Sequence, residues 1–321
     1  MGERFRAAIV GAGRIAGAFA TPADGPTTHA AAMRHEGSFD IIAVCDSDRG
    51  RAEAVAGKWG GRACDDVTSL LSGAAPDLLV VASPDATHVD VVTAVLESPC
   101  RPALIVVEKP PCVNREQLQR LVAAASMSST RIVVNLSRRF DGLHRQVAAM
   151  LAGDPFGALV SARFTYYGGW VHNGIHAVDT LRMLIGDVQL VSSADGAPGY
   201  PGDSCRDVVA VSRRWPSARI EFSGVDERVF QLFELELRFA DGRLRFEQFG
   251  ERLITEAVVV NRLGERELQP VRWSIDTDRT PAMLHLYRAC AMFLRTRDAR
   301  AIADAELSTI LPTMEFLFDA A

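Results

Sequence analysis

The amino-acid sequence predicts an α/β protein: an N-terminal Rossmann domain with a doubly wound parallel sheet, then an α+β domain with a large, mainly antiparallel open sheet. Three observations predict this fold class. Short apolar runs alternate with helix-length segments in the first part of the chain, longer strand-like segments separated by turns follow, and 321 residues are enough for two domains. We therefore expect a first domain over residues 1–136 and a second over residues 137–321.

Five short apolar runs in the first part are predicted to be buried parallel strands, because a strand covered on both faces is almost continuously apolar. They lie at 7–10, 41–44, 78–81, 103–107 and 132–134, with a weaker strand near 62–64. Segments 49–59 and 114–125 carry apolar residues at helical spacing between them. Strands that alternate with helices in this way form a parallel sheet with helices on both faces.

The second part predicts longer strands with turn signals between them. These strands are expected at 158–167, 208–215, 218–223, 230–239 and 243–249, and Asp241-Gly242 is typical of a hairpin turn between the last two. Helices are expected at about 282–295 and 303–318, and the sequence leaves open which domain they pack on.

Composition excludes several classes of protein. The net charge is -5 with no run of basic residues, so nucleic-acid binding is not expected. No apolar run reaches the roughly 20 residues of a membrane span, and no signal-peptide core precedes the first strand. The six cysteines form no CxxC pair, which favours reduced thiols and a cytoplasmic location.

A glycine-rich turn follows the first strand, in the sequence Gly11-Ala12-Gly13-Arg14-Ile15-Ala16. Such a turn between a strand and a helix is typical of a dinucleotide-binding site. Gly11 is expected to form the tight turn, Gly13 to let a pyrophosphate approach the backbone, and Ala16 to allow close helix packing. Arg14 and Ile15 would then lie beside the cofactor, at an N-terminus that favours phosphate.

Asp46 ends the second strand, where an acid can bind the two ribose hydroxyls of NAD. It lies farther from the glycines than usual, and we attribute the excess to an insertion at about 21–26 that splits the first helix. Arg49 and Arg51 lie nearby and are able to hold a 2′-phosphate. NAD is therefore the expected cofactor, and NADP stays open.

Several further motifs resemble those of the Gfo/Idh/MocA oxidoreductases, and they occur in family order over nearly the whole chain. They are Ser83-Pro84 with His88, Glu108-Lys109-Pro110, the segment Asn135 to Phe140, His172 to Asp179, and the pair Phe233 to Glu236 with Asp241 to Leu244. The resemblance implies hydride transfer between a nicotinamide and a carbinol or keto carbon of a sugar, cyclitol or nucleotide sugar. It also implies a homodimer or homotetramer formed through the C-terminal sheet, and places Ser83, Pro84, His88 and Glu108 near the cofactor.

Lys109 and His176 are the expected proton- and alkoxide-handling residues. Lys109 follows a buried strand, and ligands of doubly wound sheets lie at the carboxyl ends of the strands. An ammonium there can stabilise a developing alkoxide. His176 is able to exchange the hydroxyl proton near neutral pH.

His172, His176 and Asp179 are spaced i, i+4 and i+7, so a helix would place them on one face, with Asp179 orienting the imidazole of His176. His172 stands where the family commonly has Asp, so its catalytic role is a hypothesis. Two histidines and a carboxylate are also able to bind zinc. Asn173 occupies the position of the glutamate in the zinc-protease motif, and no metal is expected.

Four more residues are candidate substrate contacts, namely Tyr166, Trp170, Asn173 and Arg139. The alternative for the two aromatic residues is a place in the core or a subunit interface, and for Arg139 a place on the surface. The alternative for the whole protein is a catalytically weak or inactive dinucleotide-binding sensor or regulator on the same fold. A third hypothesis is reduction of a non-sugar substrate such as an imine or a tetrapyrrole.

Overall fold

A computed structural model describes residues 4–73, 75–271 and 280–321. The chain divides into two compact units. The first comprises Met1–Asp141 and Thr280–Leu311, and the second comprises Gly142–Arg279 and Pro312–Ala321.

The first unit contains a six-stranded sheet in which every neighbouring pair is parallel, as the sequence predicts. Its strands are β1 (Phe5–Val10), β2 (Phe39–Cys45), β3 (Arg62–Cys64), β4 (Leu78–Val81), β5 (Leu104–Glu108) and β6 (Arg131–Asn135), in the order β3-β2-β1-β4-β5-β6. The helices that follow these strands are α1 (His29–Glu36), α2 (Arg49–Trp59), α3 (Val67–Gly73), α4 (His88–Glu97) and α5 (Arg115–Ser126). This strand order places the carboxyl ends of β1, β4 and β5 side by side.

The second unit contains an eight-stranded, mainly antiparallel sheet, which confirms the predicted fold class. Its helices are α6 (Gly142–Leu151) and α7 (Gly174–Ile185), and its strands are β7 (Leu159–Tyr167), β8 (Val188–Asp195), β9 (Arg206–Ser212), β10 (Arg219–Val225), β11 (Glu234–Phe239), β12 (Gly242–Glu247), β13 (Arg252–Val260) and β14 (Arg266–Pro270). The order is β14-β13-β12-β11-β7-β10-β9-β8, and among the described strands of this sheet only β7 and β10 pair in parallel. Burial alternates along β11 and β12, so one face of these strands is buried and the other, the open face, is partly exposed.

Helix α8 (Ala282–Thr296) belongs to the first unit, whereas the predicted boundary assigned all of 137–321 to the second domain. The apolar side chains Leu286, Tyr287 and Cys290 are buried in the core of the first unit. They pack against α1, whose alanines allow close approach. Helix α9 (Leu307–Ala320) begins in the first unit and continues into the second. Within the described ranges, no helix is long and apolar enough to cross a membrane.

Candidate functional site

The glycine turn is held against the ends of β2 and β4. The Gly11 N–H donates to the Cys45 carbonyl at 2.7 Å. Gly11 has φ +95°, and a Cβ there would lie 2.4 Å from the backbone of Ala82 and Ser83. A Cβ on Gly13 would meet nothing within 4 Å. Gly11 is therefore required by the turn, whereas Gly13 borders open space of the kind that a phosphate needs.

The glycine turn does not open an α-helix, and that part of the sequence prediction is wrong. Residues 13–18 form a separate turn, closed by a hydrogen bond from the Ala18 N–H to the Gly13 carbonyl. Helix α1 begins only at His29, after Thr28 caps it by accepting from the Ala31 N–H. The His29 N–H donates to the Ile15 carbonyl at 3.0 Å, so the turn sits on the start of α1 and the intervening residues loop out. The insertion interrupts the helix as expected. It begins so soon after the glycine turn that residues 13–18 form only a turn and no helix before α1.

Asp46 lies directly after β2 and stabilises the glycine turn. Its Oδ2 accepts from the Ala12 N–H at 2.7 Å, and its Oδ1 accepts from the Asp48 N–H at 2.9 Å. The nearby arginines are already paired with acids: Arg49 with Glu53 and Asp65, and Arg51 with Asp48. Asp46 is thus fixed beside the turn.

The first unit fits a dinucleotide. Among the described residues, the N–H groups of 13–16 donate to no backbone carbonyl, and Gly13 borders open space. Arg14 is exposed and Ile15 is half-buried in the same turn. Unpaired N–H groups beside open space are the usual means by which such loops bind phosphate. Residues 13–16 would hold the pyrophosphate there, with Asp46 beside the ribose.

Glu108 ends β5 and lies in a buried network rather than at a cofactor surface. Its Oε1 accepts from His29 Nε2 at 2.8 Å and from Asn135 Nδ2 at 2.5 Å. The Tyr287 hydroxyl bonds His29 Nδ1 at 2.7 Å. Burial alone would raise the pKa of Glu108, but its hydrogen bonds to His29 and Asn135 and the positive charge of Lys109 hold it below its usual value. The predicted cofactor contact by the Glu108 side chain is therefore replaced by a contact within the protein.

His88 is also fully buried. Its Nδ1 lies 2.8 Å from the Pro110 carbonyl oxygen, and its Nε2 lies 2.8 Å from that of Ser83. Both ring nitrogens are thus occupied inside the unit, which argues against the predicted place beside the cofactor. Pro84 is exposed, and the Ser83 hydroxyl accepts from Thr87 at 2.8 Å. Lys109 is half-buried between Glu108 and Pro110, and the Lys109–Pro110 peptide bond is cis.

In the second unit, the segment before α7 is organised by Asp203. Its carboxylate accepts from the N–H groups of Trp170, Val171 and His172, the last at 2.6 Å. A Cβ on Gly169 would lie 2.4 Å from the same carboxylate. Burial raises the pKa of Asp203, although the three N–H groups favour its ionised form. The backbone at 170–172 is therefore held by this single carboxylate.

The structure places His172 outside the helix that carries His176 and Asp179. Helix α7 begins at Gly174, so His172 lies in the preceding turn, where its ring stacks on Tyr200 with centroids 4.1 Å apart. His176 is half-buried in the first turn of the helix, edge-on to Phe233 at 6.4 Å. Asp179 is buried, and its Oδ1 accepts from the Thr313 hydroxyl at 3.2 Å. The helical i, i+4 spacing of the two histidines is wrong, because the chain forms a turn there.

Tyr166 and Trp170 are core residues, which corrects their assignment to a substrate pocket. The Tyr166 hydroxyl donates to the Arg206 carbonyl at 2.8 Å and accepts from its N–H at 2.6 Å. Trp170 is 1% exposed, and its Nε1 donates to the Leu317 carbonyl at 2.9 Å. Asn173 stays partly exposed while its Nδ2 donates to the Tyr167 carbonyl. A ring with no exposed surface and occupied polar atoms cannot contact a substrate.

Arg139 is also buried, which argues against both the predicted substrate contact and the alternative of a place on the surface. Its Nη1 donates to the Asp304 carbonyl at 2.6 Å within the first unit. No group of three His, Cys, Asp or Glu side chains suited to a metal is found in the described part of the chain.

The sequence prediction missed His29, Tyr287, Asp203 and Tyr200. His29 had a usable signal, because it follows a capping Thr and opens an alanine-rich, buried helix, where a histidine needs partners. Asp203 and Tyr200 lie in a loop with no periodic pattern, so their proximity to His172 depends on the tertiary fold.

The first part of the chain matches a known protein family. Residues 5–136 match the Gfo/Idh/MocA family, described as an oxidoreductase family with an NAD-binding Rossmann fold. Over these residues the chain is similar to that family, so the predicted resemblance is confirmed there. A nicotinamide dinucleotide is the family's cofactor. The choice between NAD and NADP stays a prediction.

Curated relatives match over part of their length. The chain is 25% identical to D-glucoside 3-dehydrogenase of Escherichia coli over 201 residues, which are 56% of this chain and 54% of that protein. It is 30% identical to inositol 2-dehydrogenase 3 of Saccharopolyspora erythraea over 166 residues, 48% of each protein. The chain thus spans about half the length of these relatives.

Solved structures share the fold over nearly the whole chain. The WlbA dehydrogenase of Bordetella pertussis, in complex with NADH and UDP-GlcNAcA, has a TM-score of 0.76 at 17% identity, covering 98% of this chain and 95% of that one. KijD10, a 3-ketoreductase of Actinomadura kijaniata in complex with NADP, has a TM-score of 0.73 at 17% identity, covering 97% and 95%. At such identity the likeness shows the fold.

Proposed function

We propose that the protein is an NAD-dependent oxidoreductase that interconverts a carbinol and a keto carbon of a sugar, cyclitol or nucleotide sugar. One observation carries this proposal. The glycine turn after β1, Ser83 after β4 and Lys109 after β5 follow three adjacent parallel strands at the same edge of the sheet. That edge is where doubly wound sheets bind a cofactor and its reaction partner. The names of the relatives, which are sugar and inositol dehydrogenases, support the substrate class.

In the oxidation direction, the carbinol carbon loses a hydride and its hydroxyl loses a proton, which leaves a carbonyl. A bound nicotinamide would supply the hydride acceptor. Lys109 donates a hydrogen bond to the substrate oxygen and stabilises the negative charge that develops there. His176 accepts the hydroxyl proton, and it returns this proton in the reduction direction.

Cofactor preference follows from the groups around Asp46. A 2′-phosphate beside the Asp46 carboxylate would be repelled, and Arg49 is engaged by Glu53 and Asp65. The same site offers two carboxylate oxygens that can accept from ribose hydroxyls. These contacts support NAD over NADP.

The proposal is tested with a panel of sugars, cyclitols and nucleotide sugars, following reduced nicotinamide by its absorbance. For a substrate that turns over, Lys109→Ala and His176→Ala are each expected to lower kcat/KM by about 10²- to 10⁴-fold, since each removes a charge- or proton-handling group. NAD affinity is expected to be retained in both variants. His35→Ala is the matched control for His176→Ala, because His35 is exposed on α1 with its Nε2 on the Asp24 carbonyl, and it is expected to leave turnover unchanged.

A second candidate function is a dinucleotide-binding sensor or regulator, which the stacking of His172 on Tyr200 favours. An imidazole engaged with a neighbouring ring supplies no carboxylate where the family commonly has one. Tight NAD binding without turnover on any member of the panel would support this candidate and contradict the first.

Assembly into a homodimer or homotetramer through the open face of the second sheet is part of the proposal. That face carries paired charges, such as Arg243 with Glu256 and Glu236. Sedimentation of the protein at low and high salt tests this point. A monomer under both conditions would contradict it.

A further inference from the structure

Two fully buried histidines contact the residues on either side of Lys109. His29 Nε2 lies 2.8 Å from the Glu108 carboxylate, and His88 Nδ1 lies 2.8 Å from the Pro110 carbonyl oxygen. Both histidines are 0% exposed, and they come from different helices, α1 and α4. The chain is therefore held immediately before and immediately after Lys109 by imidazoles from two separate elements.

We propose that His29 and His88 are positioning residues that set the place and the reactivity of the Lys109 ammonium group. This proposal rests on the proposed function, in which Lys109 contacts the substrate oxygen. Neither histidine is a catalytic residue here, because each acts through a neighbour of Lys109.

The two hydrogen bonds of the His29 ring run in one direction, from Tyr287 through His29 to Glu108. Burial raises the pKa of Tyr287 well above its usual value, so its hydroxyl stays protonated and donates to His29 Nδ1 at 2.7 Å. His29 Nε2 is then the protonated nitrogen, and it donates to Glu108 Oε1. Because α8 supplies Tyr287, a segment near the end of the sequence helps to fix the tautomer of a residue near its start.

Glu108 connects these hydrogen bonds to Lys109 in two ways: it directly precedes Lys109 in the sequence, and the two side chains interact by charge. The positive charge of Lys109 is one of the influences that lower the pKa of Glu108. Such an interaction is reciprocal, so the ionised Glu108 stabilises the ammonium form of Lys109. Removing the hydrogen bond from His29 would leave a buried carboxylate less well held next to the amine.

His88 holds the backbone on the C-terminal side of Lys109, at Pro110. Its second nitrogen lies 2.8 Å from the Ser83 carbonyl oxygen, so its ring spans the ends of β4 and β5. The Gly11 backbone packs directly on Ala82 and Ser83. His88 therefore connects the segment that bears Lys109 to the same strand end that supports the glycine turn. A shift of about 1 Å in a reacting group is enough to cost about 100-fold in rate.

An unusual feature of the composition makes the proposal directly measurable. Only two of the 35 basic residues are lysines, Lys58 and Lys109. An amine-reactive reagent followed by peptide mass spectrometry thus reports the labelling of Lys109 against that of Lys58 in the same molecule. This ratio requires no substrate and no turnover.

The experiment compares the intact wild-type protein with His29→Leu and His88→Leu across a range of pH. Each Leu variant is expected to raise the ratio of Lys109 to Lys58 labelling by about three- to tenfold, the factor for one lost hydrogen bond. It is also expected to lower kcat by about 10- to 100-fold, with NAD affinity changed by less than about twofold. His29→Gln and His88→Gln keep a donor and are expected to return the ratio toward that of the wild type.

His35→Leu is the matched control, because His35 is on α1 but exposed, with its Nε2 on the Asp24 carbonyl. Tyr287→Phe keeps the ring and removes only the hydroxyl on His29, so it tests the proposal if a Leu variant does not fold. It is expected to raise the ratio by a smaller factor. An unchanged ratio in folded His29→Leu and His88→Leu, or an equal rise in His35→Leu, would overturn the proposal. Changed ratios in a protein that turns over nothing would leave the positioning intact and overturn the proposed function instead.

Discussion

The carboxyl edge of the first sheet and the turn before α7 hold their polar groups in different ways. At the sheet edge, residues distant in sequence share buried hydrogen bonds: His29 bonds Glu108 and Tyr287, and Glu108 bonds Asn135. At the turn, one carboxylate, Asp203, binds three consecutive N–H groups and leaves His172 and His176 partly exposed. The first region is preorganised by bonds between several side chains, and the second by one side chain, Asp203, that binds backbone N–H groups. Substitutions at several positions should therefore be felt in the first region, whereas in the second the largest effect is expected at Asp203.

Gly11 and Gly13 give the largest expected contrast. Gly11→Ala places a Cβ 2.4 Å from backbone atoms at φ +95°, so it should lower the free energy of unfolding by about 3 kcal/mol or more. Gly13→Ala meets open space and should change that free energy by less than about 0.5 kcal/mol while weakening NAD binding. Denaturant unfolding and NAD titration check both. Equal losses of stability would contradict the different roles of the two glycines.

Asp46→Ala should weaken NAD binding by about 1–3 kcal/mol, because hydrogen bonds to the ribose are lost. NADP binding should be weakened less, since the repulsion of its 2′-phosphate is lost as well. Titration with both cofactors measures the change in preference. An unchanged NAD affinity would refute the ribose role of Asp46.

Tyr166→Phe tests whether Tyr166 is a core residue of the second unit or a substrate contact. The hydroxyl exchanges two hydrogen bonds with the Arg206 backbone, so its loss should cost about 1–2 kcal/mol of stability. KM for the substrate should not change, because the ring is fully buried. A raised KM at unchanged stability would restore the substrate-contact hypothesis.

The pH dependence of stability tests the network at Glu108. Its pKa is lowered in the folded state, so its stabilising contribution is present above the ordinary value of about 4.5 and is lost as pH falls through the lower folded-state value. Glu108→Gln should flatten the decline of unfolding free energy with pH in that acidic window, relative to the wild type. Parallel curves for the two proteins would contradict the assignment.

His172→Phe should have the smallest effect, a change in kcat/KM within about fivefold, because phenylalanine preserves the stacking on Tyr200. His172→Ala removes that stacking and should lower kcat/KM further. If Phe lowers activity as strongly as His176→Ala does, His172 handles a proton after all.

Local patterns were enough to predict much of the fold. The buried strands of the first unit are continuous apolar runs, so all five of the main ones were found. Strands β8, β13 and β14 were missed. The side chains of β8 and β14 are largely exposed, and burial does not alternate regularly along β13. The helix expected to begin at the glycine turn does not form there. The chain makes a single turn and then loops out until Thr28, where α1 is capped.

The sequence by itself determined the alternation of strands and helices in the first unit, the glycine turn and the position of Lys109 at a strand end, because each depends on residues close together in the chain. Only the tertiary structure decided what surrounds them. The bonds of His29 to Glu108 and Tyr287 join residues 79 and 258 positions apart. Whether Tyr166 and Trp170 face a ligand or the core depended likewise on Arg206 and Leu317. A buried polar group must find a partner, and only the fold determines which partner lies within reach.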